Sequence, residues 1–108
     1  MRELEDDVIR GLAVDRKNIN LTLHALERLR ERKIGFSDVQ NVLLHGEIIE
    51  QYPSDYPFPS CLKLGTSVLG VALHVCFGVG DNKIWVITAY YPTADDWEED
   101  MKTRKAVE

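Results

Sequence analysis

The sequence predicts an α+β fold: N-terminal helices packed on a four-stranded antiparallel sheet, with a short C-terminal helix. Three observations predict it. Apolar residues recur at helical spacing as far as Leu43. After Gly46 the pattern changes to short runs rich in β-branched and aromatic residues. Glycine and proline punctuate those runs. A chain of 108 residues, 44% hydrophobic and 29% charged, can bury one core, which excludes a disordered or fibrous protein.

Leu4, Val8, Ile9 and Leu12 predict a first amphipathic helix over residues 2–13. Thr22 is a plausible N-cap for a second helix running to about Lys33, with Ala25, Leu26 and Leu29 as its apolar stripe and Gly35 as its end. Ser37 and Gln40 have capping-box spacing, and Val39, Val42 and Leu43 continue a third helix up to Gly46. Residues 47–52 read as a strand, and Pro53, Pro57 and Pro59 make an extended loop after it. Further strands are predicted over 61–65, 68–77 and 83–90, the last two joined by a hairpin loop over 78–82. A hairpin centred on Asp81 would set His74 opposite Thr88. Pro92 stops the last strand, and Thr93 or Asp95 can cap a final helix through Arg104.

The net charge of −5 argues against coating nucleic acid or a membrane surface, so any anion site must be local. The one basic segment is the second helix, where Arg28, Arg30, Arg32 and Lys33 outnumber Glu27 and Glu31. The longest apolar stretch, 68–79, is too short to span a bilayer, and the acidic first ten residues lack a signal-peptide pattern. A cytoplasmic protein without a membrane partner is the plain expectation.

His24, Arg28 and Arg32 stand at i, i+4 and i+8, one stripe of a helix. An imidazole exchanges protons near neutral pH, and guanidiniums grip phosphate bidentately. The same stripe also reads as a solvated face whose glutamates pair with its basic residues. His74 interrupts an apolar strand and shares a face with Cys76, while Thr88 and Tyr90 share a face of the next strand. His74 reads equally as a hydrogen-bonded structural histidine. Cys61 and Cys76 show no CxxC spacing, and no HExxH occurs, so neither metal nor cofactor is expected.

The string from His24 to Arg32 followed by Ile34 resembles the helix signature of the domain family DUF4258. So do residues 46–50, the 52–59 loop, Leu73-His74-Val75, residues 87–90 and the stretch from Pro92 to Arg104. The resemblance covers residues 20–105 of a single domain, 1–108, and leaves 1–19 as a helical extension. It implies a relationship to RelE-like toxins of the barnase–EndoU–colicin–RelE fold group, many of them metal-independent ribonucleases. It also implies RNA as substrate and a zinc-finger antitoxin as partner. The polar signature positions carried over are His24, Arg28 and Arg32 on the helix, His74, Thr88 and Tyr90 on strands, and Trp97 and Arg104 beyond them. The acidic balance departs from the basic charge usual in RelE-like toxins.

The resulting expectation is an endoribonuclease that uses the ribose 2′-OH as nucleophile. His24 and His74 form its acid–base pair, and Arg28 stabilises the phosphorane. Arg32, Thr88, Tyr90 and Arg104 bind substrate. One alternative is a non-catalytic module that holds a partner protein or small anion in the same groove. Another is a structural domain in which His24 and His74 bond each other.

Overall fold

The computed structural model describes residues 3–106. Helix α1 spans Asp6–Ala13, with Asp6 and Asp7 at its positive end and Arg10 in its last turn, the arrangement its dipole favours. A 3₁₀ turn over Arg16–Asn18 leads into the short strand β1, Ile19–Leu21. Helix α2 spans Leu23–Glu31, capped by Thr22, whose hydroxyl accepts from the Ala25 N–H at 3.0 Å. The residue that stops it is Lys33, not Gly35. Lys33 adopts φ 58°, its N–H reaches the Arg30 carbonyl, and the Ile34 N–H reaches that of Leu29. This is the paired bonding that closes a helix with a left-handed residue. Arg32 is therefore the residue just past the helix.

Helix α3 spans Phe36–His45 with Gly35 as its N-cap. The predicted Ser37–Gln40 box does not form there. The Asp38 carboxylate accepts from the Gly35 N–H at 2.8 Å instead. Gly46 follows because a Cβ there would lie 2.7 Å from the carbonyl oxygens of Val42 and Leu64.

Strands β2 (Glu47–Tyr52), β3 (Ser60–Thr66), β4 (Ala72–Gly80) and β5 (Lys83–Tyr90) form an antiparallel meander. β1 adds to β5 in parallel, giving the order β1-β5-β4-β3-β2. The sheet is thus five-stranded and mixed, not four-stranded and antiparallel. β1 escaped the sequence reading because three residues show no alternation and their partners lie far along the chain. The β4–β5 turn is tighter than expected, with Asp81 and Asn82 both at positive φ, the pairing a two-residue hairpin requires. A register shift between Cys76 and Phe77 then sets Cys76 opposite Thr88 and His74 opposite Tyr90, correcting the expected His74–Thr88 pair.

Leu73, Val75 and Phe77 of β4, with Ile84, Val86 and Ala89 of β5, pack beneath the helices with Ile9, Val39 and Leu43 in one core. α1 belongs to this core. Arg10 donates to the carbonyls of Leu44 and Gly46 at 2.6 and 3.2 Å, satisfying acceptors at the open end of α3. The predicted C-terminal helix is absent. Residues 93–105 form successive turns, with Trp97 bridged to Arg104. The Asp100 carboxylate accepts from the N–H groups of Lys102 and Thr103, and Met101 takes φ 58°. Such local side-chain bonding competes with helix.

Candidate functional site

The sheet face away from the helices gathers the polar residues. Alternation puts Glu50 and Tyr52 of β2 on that face, beside Leu62 and Leu64 of β3, then His74 and Cys76 of β4, then Thr88 and Tyr90 of β5. The 93–105 segment lies across it.

His74 is wholly shielded from solvent. Its Nε2 lies 2.6 Å from the Met101 carbonyl oxygen, which can only accept, so Nε2 carries the hydrogen. Nδ1 then accepts from the Tyr90 hydroxyl at 3.2 Å. Trp97, 3% exposed, sets its ring perpendicular to the imidazole at 4.5 Å between centroids. Burial pushes the His74 pKa below its ordinary value, while the Met101 bond and the nearby Glu50 charge pull the other way. Burial favours the neutral ring, the form in which Nε2 donates and Nδ1 accepts.

Glu50 accepts two bonds from Arg104, at 2.7 and 3.0 Å, and one from the Tyr52 hydroxyl. The Arg104 bonds hold its carboxyl below the usual range, against the opposing effect of burial, and the Tyr52 bond adds to the lowering. Tyr52 is pushed up to about 12, by burial first and by its bond to Glu50 second. Arg104 also lies over the Trp97 ring at 4.7 Å. The 93–105 segment therefore occupies both groups: a backbone carbonyl on His74 and a guanidinium on Glu50.

Arg32 reaches the same face from the end of α2. It donates to Thr88 Oγ1 at 3.1 Å and to the Ala89 carbonyl at 2.8 Å. β1 pairs only with residues 84–86 of β5, which leaves the second half of that strand open to this approach. Arg28, one turn earlier, pairs with Glu31 at 2.8 Å. His24 is exposed and lines a separate cavity of about 700 Å³, with Phe58, Trp85 and Ile87 among its walls. A second cavity, of about 550 Å³, runs from Tyr52 and Cys76 to Ile87.

The structure thus brings together Arg32 with Thr88, His74 with Tyr90, and Arg104 with Glu50. It does not bring His24 or Arg28 to His74, and no bond joins the two histidines. Glu50 and Tyr52 were missed by the sequence reading. Their signal was there: two polar side chains at i and i+2 of a strand must share a face. Among the described residues no three His, Cys, Asp or Glu side chains gather closely enough to hold a metal. Burial raises both free thiols, Cys61 to about 12 and Cys76 to about 11, so both are protonated near neutral pH. Among the described residues no helix is long and apolar enough to cross a membrane.

Residues 21–91 match the family model described as domain of unknown function DUF4258. The match omits α1 and the 93–105 segment. No curated protein and no solved structure matches the chain.

Proposed function

The chain belongs to the DUF4258 family, and we propose that it is a metal-independent endoribonuclease whose substrate face is the sheet face opposite the helices. One observation carries this reading: Glu50 and His74, a carboxylate and an imidazole, stand on that same sheet face, and the one segment 93–105 bonds both of them. A group that takes a proton and a group that returns one are what cleavage by a neighbouring hydroxyl needs. The succession of helices and then an antiparallel meander also agrees with the RelE-like relationship.

Glu50 is the base, because a carboxylate accepts a proton and the Arg104 that now bonds it leaves with the 93–105 segment. It takes the proton of a ribose 2′-OH, and the 2′-oxygen attacks the adjacent phosphorus. The bond to the 5′-oxygen breaks, and His74, protonated once exposed, supplies that oxygen's proton. The products are a 2′,3′-cyclic phosphate and a 5′-hydroxyl. Arg32, held at Thr88, offsets the phosphorane charge. Substrate must first displace the 93–105 segment, whose Met101 carbonyl and Arg104 guanidinium occupy the two reacting groups.

The test is incubation of chelator-treated protein with RNA, reading product ends by mass spectrometry. Cyclic phosphate ends are expected, and a 2′-O-methyl at the scissile nucleotide should abolish them. Glu50→Gln and His74→Gln should each cost about 10²–10⁴-fold in rate. Arg104→Ala, which unlatches the segment, should cleave faster than the parent. Absence of cleavage by both the parent and Arg104→Ala would overturn the reading. One observation favours a second reading, a non-catalytic binding module: His74 has both nitrogens bonded and no exposure, as a structural histidine does. That reading requires RNA or a partner to bind without any cyclic phosphate product.

A further inference from the structure

The cavity beside His24 lies outside the Glu50–His74 cluster and is built in advance. The Phe58 and Trp85 rings stack at 6.1 Å between centroids with 24° between planes. Trp85 is pinned by its indole N–H, which donates to the Gly80 carbonyl at 3.1 Å. Phe58 lies directly on Gly80, where any Cβ would overlap its ring. Tyr56, 91% exposed, and Ile87, 46% exposed, add apolar surface that the fold itself does not cover. A cavity of about 700 Å³ is ample for a flat heteroaromatic ring.

Its polar lining is selective. Asp55 and Asp81 are acceptors, and His24 stands with them. Asp55 is committed to the fold: one oxygen accepts from the Ser60 hydroxyl at 2.6 Å and the other from the Tyr56 N–H at 3.1 Å. Among the described residues nothing bonds the Asp81 carboxylate. From His24 the basic stripe of α2 leads along the open half of β5 to Arg32 at Thr88. Aromatic walls suit base stacking, and the cations beyond suit the attached phosphates.

We infer that this cavity is a nucleobase site that takes an unpaired guanine of the RNA strand, an inference resting on the RNA-directed reading above. A carboxylate has two acceptor oxygens side by side. Guanine presents adjacent N1–H and N2–H donors that match them. Adenine and cytosine pair each amino group with a ring acceptor that a carboxylate repels, and uracil flanks its one N–H with two carbonyls. Asp81 therefore reads the base, the Phe58–Trp85 wall stacks it, and His24 faces its sugar–phosphate side.

The test titrates the intact protein with GMP, AMP, CMP and UMP while following tryptophan fluorescence. Trp85 lines the cavity and Trp97 does not, so quenching by a bound base is read at Trp85. GMP should bind about tenfold or more tightly than UMP, and Asp81→Asn should erase that preference while leaving the weaker AMP binding in place. Asp81 sits in an exposed turn at φ 56°, a conformation asparagine adopts readily, so the variant keeps the fold. Equal quenching by all four nucleotides, no quenching, or a guanine preference unmoved by Asp81→Asn would each overturn the site. RNA cleavage assayed on the same sample separates the two ideas. Cleavage without nucleotide discrimination sinks the base site and leaves the nuclease. A guanine preference without cleavage keeps the site and sinks the nuclease.

Discussion

Lys63 is the largest side chain wholly shut off from solvent, and a lone ammonium there would be costly. Its strand parity turns it toward the helices, where Nζ donates to the Leu43 carbonyl at 2.7 Å and meets Asp6 at 2.5 Å. Burial pushes its pKa down, and the Asp6 contact opposes that shift. Removing one partner of such a pair costs more than replacing the cation with an apolar side chain of similar volume. Asp6→Asn is therefore expected to lower unfolding stability by about 1–3 kcal/mol. Lys63→Met should cost less. Denaturant titrations of the two variants decide it, and a larger loss for Lys63→Met would show that the charge itself supports the fold.

At the scale of elements, the 53–59 loop is positioned by one glycine. Gly80→Ala has nowhere to place its methyl except in the Phe58 ring. The variant should lose about 1–3 kcal/mol through overpacking, and Phe58 should leave Trp85, seen as a change in tryptophan emission. An unchanged emission would mean that the wall tolerates strain. Helix α1 offers a second test, since it lies outside the family match at 21–91. Ile9 is fully buried against α3 and the sheet. Ile9→Ala should cost about 2–5 kcal/mol. A thermal melt close to the parent's would make α1 a dispensable addition.

Across the whole molecule, the closed face makes stability depend on pH. Folding lowers the His74 pKa below its ordinary 6.5, so the unfolded chain takes up a proton that the folded one refuses. Stability contributed by this site is present above pH 6.5 and falls as pH drops from there toward the folded value. Glu50, lowered from 4.5, adds a second loss that starts below pH 4.5. Melting temperatures measured between pH 8 and 5 should fall on the acid side in the parent. The fall should be smaller in His74→Gln. An equal fall in both proteins would assign the sensitivity elsewhere.

Much of this architecture is written in local pattern. Helical spacing of Leu26 and Leu29, or of Val39, Val42 and Leu43, marks which face of each helix is apolar, and that determines α2 and α3 before any contact is known. Alternation does the same for strands, placing His74 with Cys76 and Thr88 with Tyr90 on common faces. The resemblance in residues 24–34 and 87–90 reaches the family for the same reason, since it depends only on order and spacing. What lies over a face is a different matter. Glu50 meets Arg104 across 54 positions, and Arg32 meets Thr88 across 56. β1 finds β5 in parallel, and one shifted pair at Cys76 moves His74 from Thr88 to Tyr90. Periodicity tells a segment which side to bury but carries no information about which distant segment will cover it. Only chain closure in three dimensions decided that the 93–105 segment would lie across His74 and Glu50.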